Sequence, residues 1–348
     1  MTNIFKKLYE SLSGGAEAVL VTLYGPKGLA RYLNPRAEDL KDLGLDLKDL
    51  GLEESDFKPE SLRLYQNQGA LVLMEPFSPK PRLIVFGGGH LSLALAPMAA
   101  LMDFELIIYD DRPSFSSPSR FPMADQVICD SFEAIEKNLL FNQKDYVVIV
   151  TRGHRHDEDC LKCVLKGQEP HYTGMIGSKR RVAIVKKLLL NQGYDPQKLE
   201  RLDSPIGLAI GAVTPPEIAV AILAKITQVR REKVNRKNQE TMEVFADLNL
   251  LKFLAQPRAE PLALATVVST IGSTPRRAGA KMAIHFDGRT VGSIGGGCSE
   301  AEVIMKARSI MESQAYQIIQ VDMTDSAEED GMVCGGTMRV LIEPLGPT

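Results

Sequence analysis

The chain has 348 residues, a formal net charge of -3, 44% hydrophobic and 24% charged residues, which is the composition of a globular protein long enough for two or three domains. That balance gives no electrostatic case for a nucleic-acid or membrane-surface partner, and no apolar run approaches the ~20 residues of a membrane span. The opening MTNIFKKLYESLSGG lacks the apolar core of an export signal, and five cysteines without export fit a reducing cytoplasm.

Residues 1–16 read as an amphipathic helix with Phe5, Leu8, Tyr9 and Leu12 on one face. Ala18 to Tyr24 reads as a strand, Gly25 to Gly28 as a loop, and 36–60 as a loose or short-helical insert holding the near-repeat Asp42 to Glu54. Gln66 to Glu75 reads as a further strand, and Pro76 to Pro81 as a hinge.

Leu83 to Phe86 is then a buried strand running into Gly87, Gly88 and Gly89. A helix over Leu91 to Met102, a strand over Phe104 to Tyr109 and the acids Asp110 and Asp111 follow. Strand, glycine turn, helix, strand and acid is the order of a dinucleotide-binding βαβ unit. Gly87 permits the sharp turn, Gly89 permits backbone to approach a pyrophosphate, and the helix N-terminus offers unpaired N–H groups to it. Asp110 is placed to meet ribose hydroxyls, His90 to touch the ligand, and Ser92 stands where the fingerprint has its third glycine. Asp110, Asp111 and Arg112 together leave NAD against NADP open. The same residues also fit a tight turn that binds nothing.

Strand-like runs at Ala124 to Cys129, Tyr146 to Val150 and Tyr172 to Gly177 alternate with helical runs at Ser131 to Leu140, Asp157 to Lys166, Arg180 to Gln192 and Pro216 to Arg230. This alternation predicts an α/β fold, with a central Rossmann-like parallel sheet over 79–232 and small α+β modules on either side. The polar run from Arg230 to Gln239 predicts a linker centred on 233–240. The last module, 241–348, reads as a helix to 255, five strands and a helix over Ser299 to Ser313. ALVLMEPFSP (Ala70 to Pro79) echoes MRVLIEPLGP (Met338 to Pro347), and AVLVTLY echoes LALATVVS, so 1–78 reads as a degenerate copy of 241–348.

The last module carries the densest chemical signal. Arg276 and Arg277 sit in the loop Gly272 to Gly279. Gly295, Gly296 and Gly297 precede Cys298 at a helix start, and Cys334 lies in Met332 to Gly336. A helix N-terminus favours thiolate, the form that attacks or binds a soft metal. In the central region Thr151 to Asp157 offers His154, His156 and Asp157 to a metal or a proton, without a third spaced ligand. Cys160 and Cys163 read as helix packing, and Lys179 to Arg181 as a phosphate grip. Asp322 to Asp330 reads as a solvated acidic loop.

GSTPRRAGAKM, GSIGGGCSE and DGMVCGG in the last module resemble signature segments of the xanthine dehydrogenase accessory factor (XdhC/CoxI) family. VFGGGHLSLAL, YTGMIGSKRR and PIGLAIGAVTPPEIAVAILA in the central region do the same. The resemblance spans nearly all of 80–345. It implies a cytoplasmic factor that binds molybdenum cofactor, as molybdopterin or its dinucleotide form; a homodimer is expected, with the two modules paired either across its interface or within one chain. Such a factor assists sulfuration with a cysteine desulfurase and delivers the product to a xanthine dehydrogenase-like molybdenum hydroxylase. Cys298 and Cys334 would then contact molybdenum and handle sulfur, and the arginines would meet the pterin phosphate. In the familiar arrangement the cysteine module comes first, whereas here the complete one comes last and 1–78 lacks its motifs. The rival reading is an NAD(P)-dependent oxidoreductase acting on its own small molecule.

Overall fold

The structure, a computed structural model, describes residues 3–25, 28–35, 61–67, 70–236, 244–245, 247–323 and 335–347. The insert at 36–60, Cys334 and most of the acidic run after Asp322 lie outside the described residues. The chain forms two compact units, one of residues 80–238 and one joining 1–79 to 239–348.

In the first module, helix α1 (Ile4–Ser13) is capped by the Asn3 side chain, which accepts from the Phe5 amide, and buries Phe5, Leu8 and Leu12. Strands β1 (Ala18–Gly25), β2 (Gly28–Leu33), β3 (Arg63–Asn67) and β4 (Ala70–Ser78) form an antiparallel sheet in the order β2-β1-β4-β3. The stretch read as one strand from Gln66 is two, because the chain reverses between Asn67 and its partner Ala70.

The central unit follows as β5 (Arg82–Phe86), α2 (His90–Leu101), β6 (Glu105–Asp110), β7 (Gln126–Cys129), α3 (Ile135–Asn138), β8 (Tyr146–Ile149), α4 (His154–Lys166), β9 (Tyr172–Met175), α5 (Lys179–Asn191), α6 (Pro196–Glu200) and α7 (Pro215–Arg236). Its five strands are all parallel in the order β7-β6-β5-β8-β9, the Rossmann arrangement. Side chains alternate across the sheet. Ile84, Phe86, Ile107, Tyr109, Val147 and Ile149 face α4 and α5, while Leu83, Val85, Leu106, Ile108 and Val148 face α2 and α7. Both faces are covered, which is why these strands read as unbroken apolar runs. The helix expected over Ser131 to Leu140 is only a 3-10 turn and α3, because Leu139 is already extended. Helix α7 continues to Arg236, into the polar run read as a linker.

The last module comprises β10 (Val244–Phe245), α8 (Leu248–Ala255), β11 (Leu262–Gly272), β12 (Lys281–His285), β13 (Thr290–Gly292), α9 (Cys298–Ser313), β14 (Gln317–Asp322) and β15 (Gly336–Leu345). The helix expected from 241 starts only at Leu248, where the Asp247 side chain accepts from the Asn249 and Leu250 amides. Val244 and Phe245 instead pair with Phe77 and Ser78 of β4. The order β13-β12-β11-β15-β14 repeats that of the first module, with β12, β11, β15 and β14 matching β2, β1, β4 and β3. One face of this sheet buries Ala265, Val267, Met282 and Ile342 against Val303, Ala307 and Ile310 of α9. The opposite face carries Leu262, Leu264 and Leu345, which pack with Leu8, Leu20 and Phe77 of the first module. Among the described residues no helix is long and apolar enough to cross a membrane.

Candidate functional site

In the central sheet the strand order reverses between β5 and β8, so ligands of this fold enter at the carboxyl ends of those two strands. Gly87 and Val150 follow those ends. Gly87 has φ +113, and a Cβ there would stand 2.5 Å from the Val150 carbonyl oxygen. A Cβ on Gly88 would stand 1.9 Å from the Phe115 carbonyl oxygen. The glycines are thus required by the chain's own backbone, which approaches as closely as a ligand would.

Asp110, expected to meet a ribose, is engaged by its own turn. Its carboxylate is buried and accepts from the Gly88 amide at 2.8 Å, the Arg112 amide at 3.0 Å, and Arg112 Nε and Nη2 at 2.9 Å. Both oxygens are committed, so this acid closes the turn and leaves nothing to offer a ribose. Arg120 Nε donates to the Gly88 carbonyl at 3.1 Å, and the Ser92 hydroxyl donates to the Gly87 carbonyl. Ser92 therefore fastens the turn to the helix. Asp111 forms a two-pronged ion pair with Arg152 that joins the loops after β6 and β8, and the hydrogen bonds from Arg152 hold its carboxyl below the ordinary range.

The helices that follow β5 and β8 lack side-chain caps at their N-termini. Helix α2 begins after Gly89 and α4 after Gly153, each an extended N-cap glycine. Uncapped N–H groups and the positive end of the helix dipole suit an anion. His90, His154, Lys179 and Arg180, in the first turns of α2, α4 and α5, are exposed. His156 instead packs its ring 4.9 Å from Phe132. Asp157 is buried: desolvation pushes its carboxyl up, while Thr151 and Arg181, both bonded to it, pull it back. Among the described residues no cluster of histidine, cysteine and acid could hold a metal ion. Cys160 and Cys163 are buried in the core, and burial raises both thiols, Cys163 to about 11.

In the last module Gly295, Gly296 and Gly297 have φ of +148, +79 and +64. Three consecutive residues on the left-handed side explain the triple glycine without any ligand. Glu300, which sequence reasoning passed over, then organises the loop. Its Oε1 accepts from the Ser293 hydroxyl at 2.7 Å and from the amides of Ile294 at 3.0 Å, Gly295 at 3.3 Å and Gly296 at 2.9 Å. Burial alone would raise its carboxyl, but these donors outweigh burial and hold it below the ordinary range. An acid three residues past the N-cap, the capping-box spacing, was the available signal.

Three signature segments converge here. A Cβ on Gly336 would lie 2.3 Å from the Ser273 carbonyl oxygen, so the end of the second cysteine segment rests directly on the loop Gly272 to Gly279. Arg276, Gly279 and Ser293 line one cavity of about 100 Å³ with Phe77 of the first module and Asp247. Arg276 and Arg277 are exposed. Cys298 opens α9, though its side chain is not among those described. Nothing in the sequence hinted at a second cavity of about 320 Å³ at the amino end of β9, lined by His171, Tyr172, Lys198 and Asp203.

The model of the XdhC Rossmann domain matches residues 83–226, and that of the XdhC and CoxI family matches 255–322. Together they take in more than half of the chain, and their limits fall on the central unit and the last module. The chain belongs to the XdhC/CoxI family. Within it, the chain is 37% identical over 165 residues to a probable xanthine dehydrogenase subunit of Bacillus subtilis (strain 168), a match covering 47% of this chain and 48% of that protein. It is 32% identical over 152 residues to the uncharacterized protein YqeB of Escherichia coli (strain K12), covering 43% of this chain and 28% of that one. These matches span about half or less of each curated relative. A crystal structure described as a xanthine dehydrogenase from Bacillus halodurans aligns with a TM-score of 0.50 and 26% identity, over 67% of this chain and 65% of that one.

Proposed function

We propose that this XdhC/CoxI-family chain is an accessory factor for a xanthine dehydrogenase-like molybdenum hydroxylase. In this reading it binds molybdenum cofactor, assists its sulfuration with a cysteine desulfurase as sulfur source, and hands it on. The observation that carries the reading is the convergence of the loop bearing Arg276 and Arg277, Ser293 of the segment that leads into the triple glycine, and the Gly335–Gly336 turn at one end of the last sheet. The donor set fits the group, since exposed arginines suit a phosphate and thiols suit a soft metal and sulfur. When bound, the cofactor supplies the molybdenum and the sulfur-accepting position. Arg276 and Arg277 hold its phosphate, Glu300 keeps the glycine loop in shape, and Cys298 and Cys334 supply the thiols.

The uncapped ends of α2 and α4 support an anionic contact of the central unit's own, to the phosphates of a nucleotide. The rival reading as an NAD(P)-dependent oxidoreductase loses its usual ribose contact, because Asp110 is committed to Gly88 and Arg112.

The test is a titration with molybdenum cofactor under anaerobic, reducing conditions, reading molybdenum per chain after gel filtration. Stoichiometric retention by the wild type, lost in folded Cys298→Ala or Cys334→Ala, is the expected result. Absence of retention by the wild type, or full retention in both variants, would overturn the proposal.

A further inference from the structure

We infer that the face on which the first and last modules meet is a self-recognition surface: the last module binds the first as it would bind a second copy of itself. The inference concerns assembly and is independent of what the glycine–cysteine loops hold.

Register establishes which residues correspond. In the first module Leu20 lies opposite Glu75 and Thr22 opposite Arg31. In the last, Leu264 lies opposite Glu343 and Thr266 opposite Lys281. Glu75 therefore matches Glu343, and Arg31 matches Lys281. The contacts between modules run reciprocally along this correspondence. Glu75 of the first pairs with Lys281 of the last at 2.6 Å, and Glu343 of the last pairs with Arg31 of the first. Acid meets cation and cation meets acid, as a two-fold self-complementary interface demands. The apolar contacts obey the same rule. Leu20 lies in one cluster with its counterpart Leu264, and Leu73 in another with its counterpart Leu341.

The charges are deeply placed, with Glu75 1%, Glu343 2% and Lys281 8% exposed. Burial pushes the Glu75 carboxyl up even with Lys281 beside it. Such groups persist in a core only when matched, and here two acids meet two cations. Thr266 takes a further hydrogen bond from Lys281 Nζ at 2.8 Å, and the Tyr24 hydroxyl donates to Glu343. A second copy of the last module set in place of the first would present an acid where Glu75 is and a cation where Arg31 is, so the match survives the exchange. The first module, whose sequence lacks the GGGC and CGG motifs, is then a built-in partner. The chain holds one site-bearing module per pair and has its pairing surface filled from within.

The experiment uses the full chain and two variants. Glu75→Lys sets two ammonium groups against each other and frees the last module's face without altering it. That face then pairs between chains, and the mass by sedimentation equilibrium doubles relative to wild type. Adding Lys281→Glu restores a matched pair inside the chain and sets two acids against each other between chains, so the double variant returns to the wild-type mass and regains thermal stability over Glu75→Lys. A folded single variant of wild-type mass, or a double variant that also doubles, would overturn the inference. Should the single variant not fold, the double variant decides alone: a wild-type mass with a melting temperature near wild type supports it, and failure to fold as well overturns it.

Discussion

Two glycine loops in this molecule look alike in sequence and are built on opposite principles. The central turn, Gly87 to Gly89, is crowded: at Gly88 any side chain would collide with the Phe115 carbonyl. The loop Gly295 to Gly297 has open space around Gly296 and Gly297 but takes three successive positive φ angles. Each loop is also claimed by a carboxylate of its own chain, Asp110 at Gly88 and Glu300 at Ile294 to Gly296. A glycine-rich loop is therefore not by itself an anion cradle. Its amides are open to a ligand only where no internal acid has taken them, as at the N-terminus of α2.

The largest effects should separate crowding from dihedral strain. Gly88→Ala forces its Cβ against backbone that cannot yield, at a cost of about 3 kcal/mol. Gly296→Ala meets no atom within 4 Å and pays only for the left-handed conformation, roughly 1–2 kcal/mol. Asparagine sharpens the contrast, because it enters the left-handed region more readily than alanine but is larger. Gly296→Asn should cost less than Gly296→Ala, and Gly88→Asn more than Gly88→Ala, in denaturant unfolding. The same order at both positions would mean that one cause governs both loops.

A smaller effect distinguishes the carboxylate. Glu300 is held below its ordinary value of about 4.3, so the ion contributes stability above that value and loses it as pH falls through the lower, folded value. Glu300→Gln should cost about 1 kcal/mol at neutral pH, after allowing for solvent screening of a partly exposed group. The gap from wild type should close on acidification. A gap that stays constant with pH would mean that shape rather than charge holds the loop.

Much of the fold was legible, and the physical reasons are specific. The central strands are covered on both faces, so Leu83 to Phe86 and Tyr146 to Ile149 declare themselves as apolar runs. The strand order shared by the first and last modules has a trace in two short sequence echoes, because both sheets bury the same face. Strand β2 was missed: Gly28–Leu33 is half exposed, without alternation, and is fixed by its pairing with β1. The ribose role expected of Asp110 rested on its place at the end of β6. Its partners come from Gly88 and from Arg112 folded back, which spacing does not reveal. The reciprocal pairs of Glu75 and Glu343 were likewise hidden, since each joins residues about two hundred or more positions apart in the chain.

The smallest effect tests the terminus that no acid has claimed. Gly89 has φ -71 and ψ -169, a conformation any residue adopts, and a Cβ there would meet nothing within 4 Å. Nothing in the fold therefore requires glycine at this N-cap. Serine is a slightly better N-cap, so Gly89→Ser should stabilise the protein by a few tenths of a kcal/mol. Its hydroxyl would accept from the very amides that an incoming phosphate needs. If those amides bind an anion, calorimetry should show pyrophosphate and NAD binding about tenfold more weakly to the variant, the loss of a charge-assisted hydrogen bond or two. A more stable variant with unchanged affinity would remove the anion role from α2 and pass it to α4, behind Gly153, whose terminus is uncapped too. The glycine at position 89 is thus the one residue of the turn whose identity a ligand, rather than the fold, would have to explain.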